Sequence, residues 1–463
     1  MKKISLFSLV LLVVSAIDSI RNLPSAALFG SSLIFFFLFS AVIFLIPVSL
    51  ISAQLSSWMG EKGGVYHWVA EAFGKKAGML AIWLQWINTV VWYPTILSFM
   101  AGTLAYLIDP NLVNDQTYLM VVILSAFWLL TFLNLLGVQA STKINSVCGL
   151  IGTMIPMVFL IFLGIIWWIS GGKREIVFDY SSIVPSLSSS ENWVSLTAIM
   201  ASFLGMELAG VHANDIKDPQ TNFPKAMFYS SFFLITTMLF GSLAIAVVVP
   251  AGEINLVSGV MQVFSNFFDS FGISFLTPFL ALLILVGSFG SIINWLISPA
   301  KGLFHAAECG FLPKVFLKVN RFGVAQNILL MQAFAVSLVC LVFLLVPGVN
   351  AFYWFLTALS TDLYMLMYVL LFASCIKLKK RFYASKKFQM PGKSMGLWLC
   401  SFLGFFGCFL TILISFFPPS EIDMQGGYYA LLMLFGNVSL TLPVLLFYWN
   451  ESLQKKSIQK KSL

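Results

Sequence analysis

Charge is scarce in this chain. Charged residues occupy 10% of its 463 positions, against roughly 25% in a soluble domain, and that deficit excludes an ordinary water-facing globule. Cysteine is also sparse. The six (Cys148, Cys309, Cys340, Cys375, Cys400 and Cys408) form no CxxC pair and no Cys/His cluster. They read as small packing residues rather than disulfide partners or metal ligands. The three histidines, His67, His212 and His305, share no metal-binding spacing. Gly63-Gly64 lacks the flanking strand and the GK[ST] of a phosphate loop. No cofactor is therefore expected, and no nucleophile–base pair marks an enzyme.

What the chain has in abundance is apolar length. Hydrophobic residues make up 59% of it, and about 20 in a row cross the ~30 Å hydrocarbon layer. Such stretches lie at roughly 4–28, 31–57, 77–107, 117–138, 144–170, 192–212, 227–249, 272–300, 325–346, 350–376, 395–417 and 427–449. The expected fold class is an all-α polytopic membrane protein with twelve transmembrane helices. With Lys2 and Lys3 placed in the cytoplasm, all but three of the 26 Lys and Arg residues fall on the cytoplasmic side, the exceptions being Lys173, Arg174 and the intramembrane Arg21. That bias obeys the positive-inside rule and predicts both termini cytoplasmic in a bacterial-type inner membrane. The formal charge of +8 is thus a topology signal and not one for nucleic acid. The cluster at 377–393 and the basic tail 451–463 anchor the chain at anionic membrane lipids. The first apolar stretch is interrupted by Ser15, Asp18, Ser19 and Arg21, unlike a short uniform signal core.

No soluble domain fits between the spans, so residues 1–450 are expected to form one membrane domain. The predicted external segment 171–191 carries Ser181-Ser182 and Ser188-Ser189-Ser190 and reads as a surface loop. Two spans carry polar interruptions. The first has Ser15, Asp18, Ser19, Arg21, Asn22 and Pro24; the sixth has Gly205, Glu207 and Gly210. They stand five spans apart, as a five-plus-five inverted repeat (about 4–170 and 192–376, with 395–449 added) requires. Ordinary helices with tolerated polar residues are the alternative. An unwound turn facing lipid leaves peptide groups unpaired at several kcal/mol each, so such breaks must face a cavity. There, free N–H groups hold a carboxylate and free carbonyls an ammonium. A ligand with both charges is an amino acid.

Several segments carry a family resemblance. Leu204-Gly205-Met206-Glu207, Asn214-Asp215, Asp218-Pro219 and Asn222-Phe223-Pro224-Lys225-Ala226-Met227 resemble the sixth span and loop of amino acid–polyamine–organocation (APC) transporters. Val249-Pro250-Ala251-Gly252-Glu253-Ile254-Asn255-Leu256, Trp295-Leu296-Ile297-Ser298-Pro299-Ala300-Lys301-Gly302 and Gly63-Gly64-Val65-Tyr66-His67-Trp68-Val69 fit the same superfamily. The likeness is nearest to the bacterial glutamate/GABA antiporter branch and runs from about 5 to 450. It implies a substrate-site role for Glu207, an aromatic gate at Trp295 and a tyrosine pair at Tyr364 and Tyr368. The chain departs from that branch at Arg21, where its members have a tyrosine, and at Ser291, where they have a glutamate. Their long C-terminal plug has no counterpart in the residues after Trp449, so plug-type gating is not expected.

The candidate substrate site is therefore Ser15, Ala16, Ile17, Arg21, Gly205, Glu207, Ser291, Trp295, Asp362, Tyr364 and Tyr368. Ser15, Ala16 and Ile17 are expected to supply backbone donors at the first break, and Ser291 a small polar contact. Arg21 is expected to hold a substrate carboxylate, with Asp18 or Asp362 as its counter-charge; a structural ion pair is the alternative. Glu207, a carboxyl at bilayer depth, is a candidate for taking up a proton during transport, so protons join the amino acid as expected partners. Tyr364 and Tyr368 share a helical face, as i and i+4. The expected function is secondary amino acid transport by exchange, with proton-coupled uptake as the alternative. A membrane enzyme or a non-transporting receptor are the readings from other classes.

Overall fold

The computed structural model describes residues 4–59, 64–137, 148–185, 193–346, 348–383, 388–420, 422 and 424–448. Gly63, the 188–190 serine run, Lys386, Lys387, Trp449, the chain's first three residues and the 451–463 tail lie outside the described residues, as does the side chain of His212. Among the described residues no strand forms; a single parallel bridge joins Ile4 to Ile216.

Among the described residues eleven helices are long and apolar enough to cross a membrane, and one shorter apolar helix, Ser195–Gly210, stands between the fifth and the next. In chain order we call them helix 1 (Leu6–Ala27), helix 2 (Gly30–Trp58), helix 3 (Lys75–Ile108), helix 4 (Gln116–Leu135), helix 5 (Ile151–Ile169) and helix 6 (Ser195–Gly210). Then follow helix 7 (Gln220–Val248), helix 8 (Thr277–Glu308), helix 9 (Gln326–Phe343), helix 10 (Val349–Arg381), helix 11 (Lys393–Ile414) and helix 12 (Gly426–Tyr448). Polar caps start some of them: Ser5 Oγ accepts the Ser8 N–H at 3.2 Å, and Asp115 accepts the Thr117 N–H at 2.8 Å. Each cap satisfies one of the donors that a helix start leaves free.

Burial sorts the helices into centre and periphery. Of the apolar stretch of helix 10, 72% is buried, against 11% for helix 12. The outward faces stay apolar: Phe232, Phe279, Phe402, Phe409, Leu431 and Phe435 are all exposed. Such a surface suits lipid, where no water drives it inward. Helices 3 and 10 run side by side through the middle and carry the groups that face the breaks in helices 1 and 6.

Both predicted interruptions are present. The first half of helix 1 ends at Ile17; Asp18 and Ser19 are extended (ψ 116° and 112°) before a tight turn over Ile20–Asn22 restarts it. Helix 6 keeps regular α geometry only over Ser195–Ala201, and Gly205 then turns left-handed at φ +106° into a tighter helix, Met206–Asp215. That backbone conformation is cheap only for glycine. The regular part of helix 6 is far shorter than the 192–212 run expected from hydropathy: it stops at Ala201, and Gly205 turns the chain into the tighter segment that follows.

Candidate functional site

The two breaks meet. A Cβ added to Gly205 would stand 3.5 Å from Ile17 and 3.6 Å from the Trp295 ring, so the second break lies within one methyl group of the first. Chain direction decides what each break offers. The half-helix Leu6–Ile17 runs into the first break, so its last turn presents carbonyls; the Ala16 carbonyl accepts the Trp295 indole N–H at 3.3 Å. This corrects the expectation for Ser15, Ala16 and Ile17. They supply acceptors, and the free donors belong to the restart at Ser19–Arg21. The Ser15 hydroxyl points back to the Leu12 carbonyl at 3.1 Å.

Between the breaks lies a cavity of about 60 Å³, walled by Ser15–Ser19 and Arg21 of helix 1, Ala201 and Leu204 of helix 6, Ser291 and Trp295 of helix 8, and Tyr364 of helix 10. Helix 3 adds Asn88, Thr89 and Trp92. A polar space of this size is large enough to hold ordered water. A larger cavity of about 630 Å³ near Phe7, Phe159 and Phe162 is lined by apolar side chains, Met154 among them, and has no group to orient a charged ligand.

Arg21 is the cation in the cavity's wall. It is buried, and its Nη1 donates to Thr95 at 2.8 Å and to the Tyr353 hydroxyl at 3.3 Å. Tyr353 in turn donates to the Arg21 carbonyl at 3.1 Å, and the guanidinium lies 4.8 Å from the Trp92 ring centre. Its Nε has no partner, and no carboxylate is paired with it among the described residues. The expected ion pairs with Asp18 and Asp362 do not form. Asp18 sits at the break itself, so the three-residue spacing to Arg21 no longer puts both on one helical face; its Oδ2 accepts Thr237 of helix 7 at 3.0 Å, and its Oδ1 is bare. Asp362 turns away from the cavity, and its Oδ2 accepts Ser415 at 2.8 Å and Asn437 at 3.0 Å, from the loop after helix 11 and from helix 12.

Glu207 stands behind Tyr364, and its side chain is 1% exposed. Tyr364 donates to Oε1 at 2.5 Å, Gln85 donates to the same oxygen at 3.1 Å, and Tyr368 donates to Oε2. The carboxyl thus has three neutral donors, and no cation is paired with it among the described residues. It forms the floor of a second cavity of about 230 Å³, whose other walls include Tyr66, His67, Lys301 and His305. Tyr364, Gln85 and Glu207 therefore make a hydrogen-bonded partition between the two spaces. Ser291 lines the first cavity, with its hydroxyl turned to the Gly287 carbonyl at 3.1 Å.

Several groups of this site escaped the sequence reading. Gln85, Thr95 and Trp92 sit on the uninterrupted helix 3, and Tyr353 sits about three turns before Tyr364 on helix 10. His67 and His305, far apart in sequence, bring their rings to 5.0 Å in the second cavity.

Two broken helices facing one cavity that holds a buried arginine, inside a shell of helices with apolar outer faces, define a polytopic membrane protein of the broken-helix transporter class. The model of the amino acid permease family matches residues 4–438. The chain belongs to that family, within the APC transporters; it is an amino acid transporter and not an enzyme. It is 40% identical over 426 residues to an uncharacterised transporter of Legionella pneumophila, covering 92% of this chain and 91% of the relative. It is 29% identical over 455 residues to a glutamate/gamma-aminobutyrate antiporter of Lactococcus lactis, covering 96% and 90%. A probable agmatine/putrescine antiporter of the same species is 25% identical over 389 residues, covering 82% and 80%.

Proposed function

We propose that this protein is an amino acid antiporter, and that its substrate presents a carboxylate to Arg21. The observation that carries this reading is a buried guanidinium without a carboxylate partner, set in the cavity between two broken helices. Burying an unpaired charge costs several kcal/mol, so such an arginine is held for a ligand that arrives with the opposite charge. A carboxylate would meet Arg21 and the free N–H groups at Ser19–Arg21 together. The ammonium would meet the carbonyls at Ala16 and Ile17 and the bare Oδ1 of Asp18. Trp295 and Tyr364 would cover the aliphatic part, and Glu207, tied to Tyr364 and Tyr368, would take up or release a proton as the partition opens. Ser291 leaves room where a longer acid would contact the ligand.

A cavity of about 60 Å³ does not admit an amino acid, so loading requires the helices to move. The helix 1 and 6 unit would rock against the remaining helices, opening the site to one side at a time. We place this on twelve crossings with both ends cytoplasmic, in a single domain over 1–450 built on inverted repeats at about 4–170 and 192–376, with 395–449 added and a basic tail at 451–463. Exchange is favoured because two relatives are named as antiporters. The test is uptake of labelled glutamate, GABA and a panel of other amino acids into proteoliposomes, at acidic and neutral pH. An antiporter needs amino acid inside the vesicle. Uptake into empty vesicles under a proton gradient alone would make it a proton-coupled permease, and binding without flux a receptor.

A further inference from the structure

Asp362 is the charged group that the substrate cavity leaves unused. It is 1% exposed, and its Oδ2 accepts Ser415 at 2.8 Å and Asn437 at 3.0 Å. Its Oδ1 has no partner, and neither does the Asn437 Oδ1; the Tyr429 hydroxyl lies beside the acid and next to the Trp354 indole. The side chains that face it are Ser415 from the end of helix 11 and Asn437 and Tyr429 from helix 12, and Tyr429 is the titratable one. No lysine, arginine or histidine pairs with it among the described residues. A buried carboxylate oxygen with no protein donor and no cation is among the costliest arrangements in a membrane core.

We propose that Asp362 is a proton-binding site, with the proton on Oδ1, separate from the substrate cavity. One proton cancels the charge and turns the bare acceptor into a donor, while the two bonds on Oδ2 remain as they are. The unpaired Asn437 Oδ1 and the Tyr429 oxygen are acceptors within the same cluster. A small metal ion fits less well, because Ser415 and Asn437 turn hydrogens, not lone pairs, toward the acid. Asp362 lies two residues before Tyr364, about 200° around the helix, so the proton sits on the face of helix 10 opposite the Glu207 tyrosines. Substrate and this proton therefore do not compete for a site. Loss of the proton would leave a buried charge between helices 10, 11 and 12, and that would loosen the packing of the helix that holds Glu207.

The test uses Asp362→Asn, which keeps the shape and donor pattern of the protonated acid. Infrared difference spectra of the purified full-length protein between neutral and alkaline pH should show one protonated-carboxyl C=O band that Asp362→Asn lacks. Asn437→Leu, which keeps the acid but removes a bond on Oδ2, should shift that band. The flux measurement rests on the transport reading, and there Asp362→Asn should keep the substrate KM while velocity loses part of its dependence on pH. Spectra of both variants that match the unmodified protein overturn the proton site whatever the transport result. A protein that shows the band but no flux leaves the proton site standing and removes the transport reading instead.

Discussion

The hydroxyl of Tyr368, on helix 10, accepts the backbone N–H of Gly205 at 2.9 Å and donates to Glu207 in turn. One side chain thus satisfies both the peptide group freed by the break in helix 6 and the carboxyl that follows it. Gly205 stands at φ +106°, so its N–H cannot be recovered by regular helix. Removing the hydroxyl leaves a buried donor unmet, at about 1–3 kcal/mol. Tyr368→Phe should lower the thermal midpoint of the purified protein by several degrees and reduce transport by about tenfold or more. A variant that matches the unmodified protein in both measurements would show that the break needs no such brace.

Arg21 should govern which substrates bind. Arg21→Gln removes the cavity's positive charge but keeps a donor near Thr95. Losing a charge-assisted bond worth ~1.5–3 kcal/mol corresponds to about a 10- to 100-fold rise in KM for a substrate whose carboxylate meets it. Arg21→Lys should be impaired as well, since an ammonium cannot reach Thr95 and Tyr353, stack near Trp92 and meet a carboxylate with one planar group. Kinetics across acidic and neutral amino acids check this: an equal loss for every substrate would make Arg21 a brace for helix 1.

Local pattern made some of this arrangement legible and concealed the rest. The breaks announced themselves, because Asp18, Arg21 and Pro24 in one apolar run, and Gly205 with Glu207 in another, are costly unless a cavity faces them. Tyr364 and Tyr368 were legible through their four-residue spacing, and both reach Glu207. The same periodicity places Asp362 on the opposite face from Tyr364, so grouping it with the cavity ignored the helix's own geometry. The Arg21–Asp18 pairing failed for the converse reason: the spacing holds only in a continuous helix, and Asp18 is where this helix stops. Gln85, Thr95 and Trp92 gave no sign, since helix 3 runs unbroken over Lys75–Ile108 and a neutral polar residue there reads like any packing group. Only the fold shows that its buried face is the back wall of the site.

Glu207 is held by donors alone, so its replacement by an amide is a sharp probe. In Glu207→Gln one of the two carboxyl oxygens becomes an NH₂ group and faces a tyrosine hydroxyl that now donates to it. One tyrosine must turn, which disturbs the partition between the two cavities. Transport should fall by about tenfold or more, and the remaining activity should vary less with pH. If Glu207→Gln transports with the pH profile of the unmodified protein, Glu207 handles no proton.

The last prediction concerns the frame around the cavity rather than its lining. Helices 5 and 8 touch backbone to backbone: a Cβ on Gly152 would stand 2.3 Å from the Gly287 Cα, and one on Gly287 would stand 2.5 Å from the Gly152 Cα. One turn further on, Gly290 leaves the same gap for Cys148 at 2.6 Å. Small residues that let helices approach this closely are how membrane helices gain packing without a hydrophobic drive. Helix 8 carries Ser291 and Trp295 into the site just beyond this contact, and the Ser291 hydroxyl is bonded to the Gly287 carbonyl. Gly287→Ala should therefore cost about 1–3 kcal/mol as the helices part, seen as a lower thermal midpoint. It should also raise substrate KM, although residue 287 lies outside the cavity lining. Gly272→Ala is the control for a glycine with no close neighbour, because an added Cβ there meets nothing within 4 Å; its φ of +68° confines the cost to local strain. Should Gly287→Ala leave KM unchanged while Gly272→Ala changes it, the position of Trp295 does not depend on the crossing of helices 5 and 8.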